Sequence, residues 1–551
     1  MSILSFLMSV FTAISFFFNS FPALFKSVST VEINVDVSDT GMTIPNVVDN
    51  INVWHMGTEY VNAERNTEND VFSFVKYVQL MQCTGGTADR DLFIDPYDTT
   101  TFTDYKFEPL IENCRGIINL GAKPHLKLGG VPIKFTSGYE MGGFDMNVYP
   151  PDDFEAYYTY IKAIAQALVD EFGLEEVKTW RFGVMTEYEN ADWFQAKSGL
   201  PEDTAVAYCK LYDYTVQALV DVIGNDVFVG AHSMTVTEGL WDEEIFIRHV
   251  AEGTNYANGQ KGTRICFLSA SFYDHNPGNY TKGYTLPQTI GYLKKTAQKY
   301  GLDGLIYGID EGRLLVGTTS GKVDSQLLNR TTGYTWQASY DARLFAQAIT
   351  SGADYFSSWN FLTAGNLRGY PIISYHVAQN IAKFEGMKLL SADTMQVKTS
   401  VKTEIGNLVA VDTETGNYRA MVYNFKNDLD YKGKADVTLN IPSEDGKKYK
   451  VTQYLVNDDC NYFDEWQEDR VKYNITDDCF SWSPDDPMID NITTLSDPKA
   501  IEIYKTELRD KYIECAKLTP TEFEVTAQEG NISLEIMLEA GNVVFFEIEE
   551  I

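Results

Sequence analysis

The sequence predicts an α/β protein, a (β/α)8 TIM barrel with an accessory β-sandwich domain. Three observations carry this. From about residue 50 to 385, helical and strand periods alternate, with a glycine separating several helices from the next strand. Eight strand-like runs fall in that span, as an eightfold barrel requires. Beyond residue 386 the pattern becomes short alternating runs broken by turn signals, the signature of packed sheets.

The elements follow in order. Residues 1–28 open with "MSILSFLMSVFTAISFFFNSFPALF", which lacks Lys and Arg up to Lys26 and is long enough for a signal or a membrane anchor. It shows neither a basic start nor a clear small-residue cleavage site. Two readings stand: an exported or anchored protein, with secretion or the cell surface slightly favoured, or a packed N-terminal helix on a cytoplasmic one. Membrane contact is expected only if this segment is an anchor. Residues 29–50 contain "VEINVDV" with a period of two and are expected to join the sandwich, so that both ends of the chain meet in one accessory domain.

Residues 51–385 form the expected barrel. Its candidate strands are "INVWHMG" at 51, "YVQLMQC" at 77, "KPHLKLGG" after Gly121, "VKTWRFGVM" after Gly173, "VFVGAH" after Gly224, "ICFLSASFY" at 265, "GLIYGID" after Gly301 and "YFSSWNF" after Gly352. Between them, Phe154, Tyr157, Tyr158, Ile161, Ile164, Leu168 and Phe172 recur at helical spacing, behind capping Asp152 and Asp153 and before a terminating Gly173. A doubly wound open sheet is the alternative, but no GxGxxG stretch follows any strand. Residues 386–551 are expected to form the sandwich. Its runs include "RAMVYNF", "ADVTLNI" and "SLEIMLEAGNVVFFEI", the last suggesting a hairpin around Gly541 and Asn542.

Composition narrows the function. A net charge of −34 argues against nucleic acid, whose backbone is bound by Lys and Arg displacing counterions. The seven cysteines are scattered, without zinc-site spacing, and no His-x-x-x-His pair occurs. Neither a metal nor a cofactor is expected. Cys460 and Cys479 are either free buried thiols or a disulfide, and assembly into a homo-oligomer stays open.

In a barrel of this kind, residues at the C-terminal ends of the strands face one shared mouth. Glu187, in "RFGVMTEYENADWF", follows the fourth candidate strand, and Glu311, in "LIYGIDEGRLL", the seventh. Two carboxyl groups roughly 5–5.5 Å apart suit retaining glycoside hydrolysis, one as nucleophile and one as acid, then base. Position alone does not decide this, because the chain has 78 acidic residues and either group reads equally well as a solvated loop carboxylate.

The run Phe182–Asn190, with Trp193 and Phe194 behind it, resembles the acid/base segment of glycoside hydrolase family 39, whose usual form is E-V-W-N-E-P-N followed by an aromatic pair. "YKFEPLIENCRGIINLGAKPHLKLGGVP", "FLSASFYDH", "YGIDEG", "YFSSWNF" and, in the sandwich, "QYLVNDDCNYFDEW" resemble further parts of that family. The resemblance implies a retaining (β/α)8 hydrolase of the β-xylosidase and α-L-iduronidase kind acting on a carbohydrate. Glu187 falls on the acid/base, Glu189 does not, and Glu311 falls on the nucleophile. It also implies that Tyr273 donates to Glu311; Trp359, at the eighth strand end, is expected either as a floor for the C–H face of a sugar or as a core residue.

Further substrate contacts are expected from Thr186, His232, Trp193 and His275, with Asp274 beside them. Glu189 is expected at the entrance or as a loop cap, Asp89, Arg90 and Asp91 on a mouth loop, and Arg313 beside one of the carboxylates. Asp310 is expected to point away from the site, across the strand from Glu311. Asn461 and Trp466 either reach the mouth or pack between domains. The chain departs from the family pattern at Thr186 (usually Asn), Gln82 and Thr84 (Arg and His) and Ser271 (His). The expectation is an exo-acting retaining glycosidase; an endo-acting glycanase and a sugar-binding protein without turnover are the alternatives.

Overall fold

The computed structural model describes residues 28–551 except 55, 57–72, 82, 235–238, 275–284, 315–334, 359–372, 399–403, 429 and 480–494. Gln82, His275, Trp359 and the N-terminal apolar stretch therefore lie outside the described residues. Eight parallel strands close a barrel: β2 (Asn50–Val53), β3 (Tyr77–Leu80), β4 (Lys123–Leu128), β5 (Arg181–Val184), β6 (Val229–Ser233), β7 (Phe267–Asp274), β8 (Ile306–Leu314) and β9 (Tyr355–Ser358). The ring closes where Ile51 of β2 pairs with Ser358 of β9.

Strand alternation separates two chemistries. Val78, Leu80, Leu126, Leu128, Phe182, Val184, Leu268, Ala270 and Ile309 are buried in the main core with the surrounding helices. Each Val, Leu, Ile or Phe side chain among them contributes about 1.5–3 kcal/mol by leaving water. The alternate residues fill the barrel interior with polar groups. His125 of β4 lies 5.2 Å from His232 of β6, ring to ring, and Asn50 Nδ2 lies 3.3 Å from His125 Nδ1. Gly183 leaves room for this layer, since a Cβ there would lie 1.9 Å from His232 Nε2. The helix expected over 152–173 runs Phe154–Phe172. Asp153 accepts from the Glu155 and Ala156 amides, and Gly173 ends the helix at φ 84°, a conformation that favours glycine.

β1 (Ser29–Thr43) belongs to a second, nine-stranded sheet with β10 (Lys388–Lys398), β11 (Glu404–Val411), β12 (Tyr418–Phe425), β13 (Ala435–Pro442), β14 (Lys448–Val456), β15 (Thr521–Thr526), β16 (Asn531–Leu538) and β17 (Val543–Glu550). Among the described residues three pairs join β10 to β11, and the sheet folds there into two layers around Val31, Ile33, Leu439, Leu534, Val422 and Phe546.

The hairpin expected at Gly541 and Asn542 does not form. β16 pairs with β13, whereas β17 lies between β12 and β14, so the turn crosses from one layer to the other. β17 is buried on both faces, which suits a central strand. A second departure is helical: Phe463–Tyr473 and Pro498–Cys515 form a helical layer between β14 and β15, where the sequence pattern suggested only sheet. Trp466 sits in that layer's own core with Tyr512 and does not reach the mouth. The accessory sheet docks on the barrel helix Thr335–Ser351, where Trp336 Nε1 donates to the Lys426 carbonyl at 2.9 Å. All seven cysteines, Cys460 and Cys479 included, are unpaired. No described helix is long and apolar enough to cross a membrane.

Candidate active site

Glu187 lies just past β5 on a backbone that leaves the strand sharply: Met185 has φ 64° and Glu187 φ 43°. Such angles are uncommon outside glycine and persist where surrounding contacts hold them. Here the Met185 amide donates to the Leu128 carbonyl and the Tyr188 amide to the His232 carbonyl. Tyr188 also stacks on Tyr208 at 4.3 Å. Asn190 Nδ2 and Trp193 Nε1 donate to the same oxygen, Glu187 Oε2, at 2.8 and 3.1 Å. Burial holds the Glu187 carboxyl above its ordinary range, against the Asn190 hydrogen bond and the adjacent Ser271 hydroxyl, with Asp310 adding repulsion.

Glu311 sits on β8, with Ser271 of β7 as its register partner. Tyr273 donates its hydroxyl to Glu311 Oε1 at 2.9 Å. Lys127 Nζ lies 3.8 Å from Oε2, which accepts no hydrogen bond among the described residues. Burial raises the Glu311 pKa to about 7, against the pull of Lys127 and with repulsion from Glu187 and Asp310. The two carboxyls thus lie within each other's field.

Asp310 and Glu311 do not face opposite sides of the strand as strict alternation predicts; both face inward. Ala270 pairs with Ile309 but Ser271 with Glu311, so Asp310 is an extra residue, a bulge, and the β8–β9 register shifts at the same place. The bulge turns two successive carboxylates toward one amine: Lys127 Nζ is 2.8 Å from Asp310 Oδ2 and also donates to Thr186 Oγ1 at 2.7 Å. Asn52 and Gln79 hold the bulge by donating to the Asp310 carbonyl at 3.2 and 2.7 Å. Lys127 was not singled out from sequence; its signal is a lone lysine at an inward position of "HLKL", between apolar neighbours.

Several expected contacts fall elsewhere. His232 is fully buried below the mouth, with Nδ1 2.6 Å from Ser269 Oγ and 3.5 Å from Asp310 Oδ2. Burial and Lys127 keep it neutral, its pKa far below the usual value. Arg313 pairs with Asp341, at 2.9 and 2.7 Å, rather than with either glutamate. Asp274 accepts from Tyr340 at 3.0 Å. Asp91 is buried and caps the Gly86 and Ile133 amides, so it shapes the loop from beneath. Thr84 is likewise internal, bonded to Gly129 and Gly130.

Trp193 is buried beside Glu187 and stacks on half-exposed Phe144 at 4.3 Å, with Trp54 6.3 Å away on the rim and Arg90 over Trp54 at 5.1 Å. Trp54 and Phe144 went unnoticed in the sequence, although Trp54 directly follows the first barrel strand.

Glu189 does not line the entrance. It is wholly buried, accepts from the Ser233 hydroxyl and the Met234 amide, and so ties the Glu187 loop to the end of β6. Burial and the nearby Glu243 hold its carboxyl well above the usual range, and burial raises Glu243 to about 7. A folded-state pKa above the unfolded value means that stability is full below about pH 4.5 and is lost as pH rises through 7. Glu243→Gln is therefore expected to stabilise the protein by up to about 3 kcal/mol at pH 8 and by little at pH 4.5. Melting temperatures of both proteins across that range check this; an unchanged difference between them at the two ends would refute it.

The family model for Glycosyl hydrolases family 39 matches residues 98–473. A β-xylosidase of Caldicellulosiruptor saccharolyticus is 30% identical over 107 residues, 19% of this chain and 21% of that protein. A β-xylosidase of Geobacillus stearothermophilus is 25% identical over 142 residues, 25% of this chain and 27% of that one. The chain thus aligns with about a quarter or less of these curated relatives' length. Among solved structures, a monomeric β-xylosidase from Caulobacter crescentus CB15 superposes with a TM-score of 0.60 at 14% identity, covering 94% of this chain and 99% of the other, a likeness of fold. With the family's profile covering more than half of the chain, the protein is a member of glycosyl hydrolase family 39.

Proposed function

We propose that the protein is a retaining exo-glycosidase that releases a terminal sugar, with β-xylosides the first substrates to test. The observation that carries this is the unequal provision for two mutually coupled carboxyls at the ends of β5 and β8. Glu311 faces a cation, and its Oε1 is engaged by Tyr273, leaving Oε2 to attack. Glu187 is engaged by two neutral N–H donors on Oε2, those of Asn190 and Trp193. On this reading the acid proton belongs on Glu187, with Lys127 beside Glu311 favouring its ionised form.

In the first step Glu311 Oε2 bonds to the anomeric carbon, the glycosidic C–O bond breaks, and Glu187 gives its proton to the departing oxygen. In the second, Glu187 takes a proton from water, the water oxygen bonds to the anomeric carbon, and the ester to Glu311 breaks. Inversion at each step gives net retention. Trp193, Phe144 and Trp54 form an aromatic wall beside Glu187, suited to the C–H face of a leaving-group sugar. Thr186, already accepting from Lys127, has its hydroxyl proton left to offer a substrate oxygen.

A panel of nitrophenyl glycosides tests the reading. Release of nitrophenol from one of them, with the sugar first formed in the configuration of the substrate, is expected. Inverted product would overturn the mechanism, activity confined to oligosaccharides would favour an endo-acting enzyme, and saturable sugar binding without turnover would indicate a binding protein.

A further inference from the structure

We propose that Lys127 is a positioning residue that keeps the nucleophile ionised, by neutralising the second carboxylate beside which the β8 bulge places it. The inference rests on the assignment of Glu311 as nucleophile.

The geometry is specific. Lys127 is 2% exposed, on an inward position of β4, and its amine faces three oxygens from two other elements, donating to the first two. These are Thr186 Oγ1 at 2.7 Å beyond β5, and Asp310 Oδ2 at 2.8 Å and Glu311 Oε2 at 3.8 Å on β8. Burying a lysine is costly unless its charge is paired and its N–H groups are used, and here both conditions are met. Among the described residues the other groups facing this cluster carry no positive charge: His125 and His232 are held neutral by burial, Tyr273 and Tyr355 stay protonated, and burial raises the Glu187 carboxyl.

Consider the cluster without the amine. Asp310 and Glu311 are successive buried carboxylates, and the bulge, which brings Glu311 to the inward side that Asp310 occupies, leaves both in one field. Two like charges so placed do not both stay ionised; one takes a proton. A proton on Glu311 removes the attacking lone pair. Lys127 thus compensates for the bulge, and the same contact spans the cycle. When Glu311 is esterified and loses its charge, the amine keeps Asp310 as partner at 2.8 Å and needs no rearrangement before the ester is hydrolysed.

The test compares wild type, Lys127→Met, Asp310→Asn and the double variant. Loss of the cation moves the acidic limb of kcat/KM up by about one to two pH units, and loss of Asp310 moves it down. The double variant, which removes both charges and leaves no buried charge stranded by the substitution, returns the limb to near its wild-type place. A second readout needs no turnover. Infrared difference spectra against Glu311→Gln follow the Glu311 carboxylic-acid band with pH, and that band should appear at higher pH in Lys127→Met than in wild type.

A uniform loss of kcat/KM at every pH with an unmoved limb would show a merely structural lysine, as would superimposable infrared titrations. Absence of turnover in the wild type would count against the assignment of Glu311 as nucleophile, while the infrared titration would still decide the effect of Lys127 on its charge.

Discussion

Glu311→Gln lowers kcat by about 10⁴-fold or more on every substrate the wild type accepts, because it removes the nucleophile itself. The amide is isosteric, so Tyr273 keeps a partner at the Oε1 position and the fold is expected to survive; an unchanged melting temperature separates lost chemistry from lost structure. The same substitution leaves Asp310 as Lys127's charged partner, so substrate affinity changes much less than kcat. A 2-fluoro glycoside with a good leaving group should label the wild type at one carboxylate, and the labelled peptide should contain Glu311. Label on Asp310 instead would reassign the nucleophile to the other inward-facing carboxylate of β8. A variant that keeps a tenth or more of wild-type kcat would remove Glu311 from the mechanism.

What could be read from the chain alone follows from how local each feature is. The barrel was legible because each unit repeats a helix, a glycine and a strand, and because outward positions such as Leu126, Phe182 and Leu268 are apolar while inward ones such as Lys127, His232 and Ser269 are polar. Glu187 and Glu311 were legible as strand-end residues with family-like surroundings.

The bulge was not legible. Inserting one residue relative to a neighbouring strand changes no local pattern in "YGIDEG", yet it brings Glu311 to the inward side that Asp310 already occupies and gives Lys127 its role. The same limit explains the missing hairpin: "SLEIMLEAGNVVFFEI" has the right alternation and turn, but β17 is buried on both faces and finds better partners in β12 and β14. His232 misled for a related reason. It lies one turn of alternation below the rim, where "VFVGAH" looks like any strand end, and only Ser269 and Asp310 across the barrel show that it is enclosed.

Glu187→Ala should produce a loss that depends on the leaving group. Protonation by a placed acid contributes about 10²–10⁴-fold, and a nitrophenolate that departs without help needs little of it. The first step on a dinitrophenyl glycoside should therefore stay near the wild-type rate, while the second, which needs Glu187 as base, becomes slow and lets the glycosyl ester accumulate. A burst of phenol followed by slow turnover is the expected trace. Azide, which attacks without surrendering a proton, should restore the second step and give a glycosyl azide of retained configuration. The vacated space favours it, because Asn190 and Trp193 still aim two N–H donors at the position that Oε2 occupied, a ready anion site. Azide product of inverted configuration would place the small nucleophile on the face opposite the departed group without a prior ester, and would exclude double displacement. No rescue, together with equal losses for good and poor leaving groups, would remove Glu187 from proton transfer and leave it a structural carboxyl of the β5 loop.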